Sequence, residues 1–229
     1  MSFAVDASGR DLRSVSRELK AAVEKETVTI GGAAHIHGLA AGLTTGDVSI
    51  EGNAGDYLGV LNSGAAIRVR GDAGRYLADN MTGGTVVVDG DAGHGVGQYC
   101  YGGTVIVRGS CGDFTAVMNK GATIVIGGNV GDEAATYMLA GDLVIAGDAG
   151  INLGNYLIRG NIYVGGNWES LGNNTLLQEM TESDHAKLSR LLSEYHIDGD
   201  TNNFRKIGPL SEKPFYKAKV AIQKKSTDL

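Results

Sequence analysis

The chain has 229 residues, 42% of them hydrophobic, so one domain with a substantial core is expected. Its net charge of −6 argues against a general nucleic-acid-binding surface, and two cysteines are too few for a disulfide framework. Thirty-six glycines beside only two prolines, without glycine at every third position, exclude collagen and indicate another repeating structure.

The N-terminal segment predicts a short amphipathic helix. Its apolar residues Leu12, Val15 and Leu19 recur at helical spacing within residues 11–25. The first residues lack a basic stretch followed by an apolar one, and no apolar run approaches the roughly 20 residues of a membrane helix. We therefore expect a cytoplasmic protein without a membrane partner, in which residues 1–27 form a capping segment.

Glycine recurs at an interval of nineteen residues through the centre of the chain. Seven glycines in this column are expected to form structural turns: Gly52, Gly71, Gly90, Gly109, Gly128, Gly147 and Gly166. A second glycine follows three residues later in six of the seven repeats, and Asn, Asp or Ser directly follows the first. These residue types favour turns, and glycine in addition accepts positive φ. A fixed period of this length is typical of stacked solenoid coils.

Two apolar columns precede each glycine. They contain only Val, Ile or Leu in the seven repeats and begin at Val48 and Ile50. Because residues two apart on a strand point to the same side, the columns predict one interior wall of parallel strands. Val28 and Ile30 begin an eighth, irregular coil. The expected fold is all-β: a right-handed parallel β-helix, built as a single-stranded solenoid of seven to eight coils over residues 28–170.

The position between the two apolar columns points away from the core and should be polar. Four successive coils instead carry branched apolar side chains there: Val87, Ile106, Val125 and Val144. Soluble monomers rarely expose a contiguous patch of this kind, so something covers it. Two interpretations remain open, namely the chain's own flanking helix or tail, and a docked partner subunit. These four residues are the candidate interface.

Residues 171–229 predict a C-terminal helix followed by an extended tail. Thr181 and Asp184 resemble a capping box, and Leu188 and Leu192 mark one helical face. The tail is rich in lysine and has no periodicity. Its apolar anchors are Phe204, Ile207, Phe215 and Tyr216. Because the ends of a solenoid expose strand edges and core, both flanking segments are expected to act as caps.

Candidate catalytic groups are sparse. His35 and His37 share one side of an extended segment, but the spacing supplies no third metal ligand. Cys100 and Cys111 have no His or Cys at zinc spacing and no indicated base. No catalytic, metal-binding or cofactor-binding residue is therefore predicted. The columns also show no run of carboxylates or aromatics of the kind expected on a polysaccharide-acting β-helix.

The repeat resembles the GXGXG β-helix domain that ends the large subunit of glutamate synthase. The resemblance covers about residues 28–170 and is carried by the stretches 80–88, 100–107 and 114–122. A free-standing chain of this type is similar to a separate subunit of archaeal-type glutamate synthases and of methylamine–glutamate N-methyltransferase (N-methylglutamate synthase). The resemblance implies a non-catalytic scaffold in a hetero-oligomer with a glutamine amidotransferase-type subunit and an FMN-binding synthase subunit. It implies no cofactor on this chain, with FMN and an iron–sulfur cluster expected on the partner subunits.

Two alternatives stay open. One subunit of formylmethanofuran dehydrogenase, or of its bacterial formyltransferase/hydrolase counterpart, is similar in the same repeat. The stretch 204–209, which follows a helix, resembles the tail of the glutamate synthase side, and that side is therefore preferred. The second alternative is a stand-alone β-helix binding module.

Overall fold

The glycine-punctuated repeats build one sheet in which successive strands pair in parallel. The computed structural model describes residues 2–213. Its strands are β1 (Ser2–Asp6), β2 (Thr27–Gly31), β3 (Asp47–Glu51), β4 (Ser63–Val69), β5 (Gly83–Val88), β6 (Thr104–Val107), β7 (Lys120–Ile126), β8 (Ala140–Ile145), β9 (Asn161–Val164), β10 (Thr175–Gln178) and β11 (Arg205–Pro209). Helix α1 (Leu12–Ala22) follows β1, and helix α2 (Glu182–Tyr195) and a short 3-10 turn (Thr201–Asn203) lie between β10 and β11. The predicted all-β parallel solenoid is confirmed.

The pairing register equals the sequence period. Val48 pairs with Ile67 and Ile67 with Val86, and the same nineteen-residue step continues to Ile162 on β9. The first step, from Val28 to Val48, is one residue longer. Both apolar columns are buried along the whole sheet and fill the core, as the alternation predicted. Identical registers let each coil bury its apolar face against its neighbours.

A second wall of each coil consists of residues with alternating left-handed backbone. In the first regular coil these are Tyr57, Gly59 and Leu61, with φ of 58°, 66° and 60°. Their N–H groups bond neighbouring coils, as in the 2.8 Å bond from Tyr57 to the carbonyl of Arg75. The middle position is always small: Ala40, Gly59, Ala78, Gly97, Ala116, Ala135 and Gly154. Bonds between coils thus stabilise a conformation that costs roughly 1–2 kcal/mol per non-glycine residue. We call residues 57–61 and their equivalents in the other coils the left-handed wall.

The turn glycines are required by space more than by φ. Gly52 has a φ of +90°, and a Cβ there would meet no atom within 4 Å. The other six have no positive φ, and a Cβ on each would collide with a side-chain oxygen of the preceding coil. At Gly109 that oxygen is Oδ1 of Asp91, which accepts a 2.7 Å hydrogen bond from the N–H of Ser110. The corner residues therefore bond the next coil, and the glycines leave room for them.

Both ends of the rod contain elements that the sequence did not reveal. Strand β1 pairs in parallel with β2, so residues 1–27 contribute a strand as well as the predicted helix. Helix α1 buries Val15 and Leu19 in the core. At the other end, β11 lies antiparallel between β9 and β10. The predicted anchors Phe204 and Ile207 are buried there, whereas Phe215 and Tyr216 lie outside the described residues.

Candidate interaction surfaces

The outward apolar column is covered by the chain's own C-terminal helix. Ile106, Val125 and Val144 are fully buried, and Val87 is half-buried at the margin of the same cluster. The residues that cover them come from α2 and the segment after it: Leu188, Leu191, Leu192, Ile197 and Phe204. Of the two interpretations left open by the sequence, the self-covering one describes the structure. The candidate interface is thus corrected, because Ile106, Val125 and Val144 have no surface left for a partner while α2 is docked.

A buried polar network holds the start of α2 on the sheet. Tyr163 on β9 donates a 2.6 Å hydrogen bond to Oδ1 of Asp184, and Thr181 donates a 2.7 Å bond to Oδ2. Lys206 on β11 lies 3.1 Å from the same carboxylate. Burial raises the pKa of Asp184, but the hydrogen bonds from Tyr163, Thr181 and Lys206 outweigh burial and hold this pKa well below its usual range. The carboxylate thus stays ionised and links three segments of the chain.

Two further contacts fix the rest of α2. Lys187 lies 2.9 Å from Asp142 on β8, and Nε of Arg108 donates a 2.9 Å hydrogen bond to the carbonyl of Tyr195 at the helix end. A cation near the last carbonyls also compensates the negative end of the helix dipole. The capping box predicted from Thr181 and Asp184 is present. Helix α2 is therefore a fixed part of the domain.

The outer face remains open on the coils before β6. A cleft of about 220 Å³ lies there, lined among others by Ser49, Arg68, Arg70 and Val87. Asp89 occupies the cations beside it: Arg68 lies 2.8 Å away, Arg108 2.7 Å and Arg70 3.6 Å. Because the three guanidinium groups already share this carboxylate, the cleft offers no unpaired cation for an anionic ligand.

The left-handed wall displays aromatic side chains along the rod. Tyr57 stacks on Tyr76 with ring centroids 4.8 Å apart, and Tyr137 stacks on Tyr156 at 5.4 Å. The other aromatic residues of this surface are Tyr99, Tyr101 and Phe114. We call these seven side chains the aromatic wall. The expectation that the chain shows no aromatic run was wrong, because these residues divide among three columns of the repeat and only the fold gathers them.

Exposure makes the aromatic wall the most apolar open surface of the described solenoid. Tyr101 is 57% exposed and Phe114 46%. Lys120 lies 4.0 Å from the ring centroid of Tyr101 and donates a 2.8 Å hydrogen bond to its hydroxyl. Large aromatic rings with polar edges are enriched at protein interfaces, where they contribute much contact area at low entropic cost.

The histidines act as corner residues. Nδ1 of His37 accepts a 2.9 Å hydrogen bond from the N–H of Asp56, and Nδ1 of His94 accepts one of the same length from Asp113. His35 instead bonds the carbonyl of Arg10. Among the described residues, no three His, Cys, Asp or Glu side chains are grouped so that they could hold a metal ion. His35 and His37 thus have distinct hydrogen-bond partners.

Both cysteines are buried in the core. Burial raises the pKa of the Cys100 thiol to about 12 and raises that of Cys111 still further. Asp79, on the wall beside Cys100, has a buried Oδ1 without a hydrogen-bond partner among the described atoms, and burial raises its pKa. Since a thiol is nucleophilic only as the thiolate, neither cysteine is suited to nucleophilic chemistry.

Comparison with known proteins agrees with the geometry. The family model described as GXGXG motif matches residues 96–203, a range that spans β6 to β9, the docked helix α2 and the Tyr163–Asp184 pair. A search of curated proteins gives no match. None of the helices in the described part of the chain is long and apolar enough to cross a membrane. The chain thus belongs, through residues 96–203, to the GXGXG motif family, the family of the glutamate synthase C-terminal domain.

Proposed function

We propose that this chain is a non-catalytic scaffolding subunit of a cytoplasmic glutamate synthase-type complex that makes glutamate or N-methylglutamate. Its partners would be a glutamine amidotransferase-type subunit and an FMN-binding synthase subunit, which would carry FMN and an iron–sulfur cluster. The observation that carries the proposal is the GXGXG match over the solenoid and its docked helix.

The aromatic wall supports this proposal. A scaffold needs a rigid surface that a second protein can bury, and the wall places Tyr101 and Phe114 on coils whose backbones are bonded to each other. Helix α2 occupies the other apolar face, so the wall is the surface on which we place the partner subunits. The rings have few rotatable bonds, which lowers the entropic cost of docking.

Affinity purification of the tagged chain from native extract tests the proposal. We expect an amidotransferase-type protein and a flavoprotein in the eluate, with flavin absorbance that is absent from the chain purified alone. Recovery of the chain alone would contradict the proposed function. Recovery of proteins for formyl-group or molybdopterin chemistry would replace it with the formylmethanofuran dehydrogenase alternative.

Single substitutions test the docking surface. Phe114 has a φ of 63°, which Asn tolerates well, so Phe114→Asn removes the ring at little cost in backbone strain. We expect recovery of the partners to fall at least about tenfold, which corresponds to 1.4 kcal/mol of binding free energy. The matched control is Phe3→Ser, since Phe3 is 37% exposed on β1 and lies outside the wall. Equal losses in both variants would argue against the wall as the docking surface.

A further inference from the structure

The sheet ends on an apolar edge. Strand β10 is the last strand of the described sheet and pairs only with β11. Its central residues Leu176 and Leu177 are 36% and 53% exposed, and Leu210, just after β11, is 70% exposed. Leu177 pairs with Ile207, which pairs with the core residue Ile162. Leu177 therefore belongs to the core face of the sheet, at the point where the solenoid ends.

An uncovered edge of this kind presents unpaired N–H and C=O groups beside apolar side chains, which proteins normally cover. Helix α1 covers the other end of the rod. Within residues 2–213, no strand lies beyond β10.

The described chain ends next to this edge. The N–H of Leu210 donates a 2.9 Å hydrogen bond to the carbonyl of Asn174, the residue directly before β10. Nδ2 of Asn174 in turn donates a 2.6 Å bond to the carbonyl of Ser211. Residues 214–229 therefore continue from a point beside the first residue of β10.

The sequence that follows has the composition such an edge requires. Its residues Tyr216, Ala218, Val220 and Ile222 are apolar and alternate with Lys217, Lys219, Ala221 and Gln223. Strict alternation of this kind is the pattern of a strand with one buried face. The six residues 210–215 can span about 20 Å, which exceeds the roughly 10 Å of two strand spacings from β11 to the far side of β10.

The charges of the two segments are complementary. Exposed glutamates lie around the end of the rod, at positions 169, 179, 182 and 212. Lysines occupy positions 217, 219, 224 and 225 of the C-terminal segment, against a single acidic residue, Asp228. Attraction between the two would favour docking at low ionic strength.

From these observations we infer that residues 216–223 of the same chain add to the free edge of β10 as a further strand. The apolar face of this segment covers Leu177, and its lysines lie toward the exposed glutamates. The inference concerns closure of the rod and is independent of the proposed function.

Disulfide trapping in the full-length chain tests the inference. Leu177→Cys is combined in turn with a cysteine at each position from 216 to 223, and the oxidised monomer is identified by mass after digestion. We expect cross-linking to alternate along the segment, with positions on the apolar face, such as Ala218 and Val220, trapped at least fivefold more than their neighbours Lys217 and Lys219. Uniform cross-linking, no cross-linking, or cross-linked dimers would each overturn the inference, the last in favour of a second copy at this edge.

Hydrogen exchange provides a second readout in the intact protein. Val220→Lys combined with Ile222→Lys places two charges on the apolar face and is expected to speed exchange of the β10 amides at least tenfold. The matched control, Ala221→Lys with Gln223→Lys, adds two lysines to the opposite face and should leave β10 exchange within twofold of the wild type. Unchanged β10 exchange in the first variant would contradict the inference.

Discussion

The hydroxyl of Tyr163 lies 2.6 Å from Oδ1 of Asp184 and joins the outer face of β9 to the first turn of α2. Tyr163 is fully buried and Asp184 is 4% exposed, so water cannot replace either partner. The same carboxylate accepts the N-cap hydrogen bond and pairs with Lys206. One side chain thus couples the capping of α2 to its docking on the solenoid.

Removing this hydroxyl should loosen α2. Tyr163→Phe leaves a buried carboxylate oxygen short of one donor, and we expect the free energy of unfolding to fall by about 1–3 kcal/mol. Urea titration followed by circular dichroism measures this change. Tyr57→Phe deletes the same atom from an exposed ring and should change stability by less than about 0.5 kcal/mol. Similar losses in the two variants would show that the bond to Asp184 contributes nothing specific.

Acid should remove the contribution of Asp184. Its pKa is lower in the folded chain than in the unfolded one, so the ionised carboxylate stabilises the fold above about pH 4, the usual value for Asp. As the pH falls below that value, this contribution is progressively lost. We expect the difference in unfolding free energy between wild type and Asp184→Asn to be largest near pH 7 and to shrink between pH 4 and pH 2. A difference that stays constant from pH 7 to pH 3 would contradict the assignment.

The corner glycines should show coupling with the carboxylates beside them. Gly109→Ala introduces a Cβ that displaces the Asp91 carboxylate from the N–H of Ser110, and overpacking of this kind costs about 1–3 kcal/mol. Asp91→Ala removes the same hydrogen bond. The losses should therefore be sub-additive in the double variant, by at least about 0.5 kcal/mol, in equilibrium unfolding.

The control for this cycle is Gly52→Ala, which strains a φ of +90° but meets no neighbouring atom. Its loss, about 1–2 kcal/mol from the left-handed backbone, should add to that of Asp91→Ala. Additive losses at Gly109 as well would mean that φ, and not space, explains the glycine there.

The repetitive part of the fold was predictable because each coil repeats one local pattern. The apolar columns and the period set the strands and their register, and the caps of α2 were visible at Thr181 and Asp184. The reason for the turn glycines was not visible, since it depends on a side chain of the preceding coil. Left-handed backbone at Tyr57 and Phe114 likewise contradicts local propensity and is stabilised only by bonds between coils.

The candidate surfaces were harder to predict because they depend on long-range contacts. The sequence identified the outward apolar column but could not decide what covers it. That decision rests on contacts such as the bond from Arg108 to Tyr195, residues far apart in the chain. The aromatic wall was missed because its rings occupy different columns and become neighbours only when the coils stack.

Charge placed under α2 should destabilise the isolated chain. Val125 is fully buried between the sheet and α2, so Val125→Asp buries an unpaired carboxylate and should cost about 3–5 kcal/mol. Ser49 occupies the same outward column on β3, where α2 does not reach, and Ser49→Asp should change stability by less than about 0.5 kcal/mol. Thermal and urea unfolding of both variants measure the contrast. If Val125→Asp were as stable as the wild type, α2 would have to leave the face readily, and the column would again be available to a partner subunit.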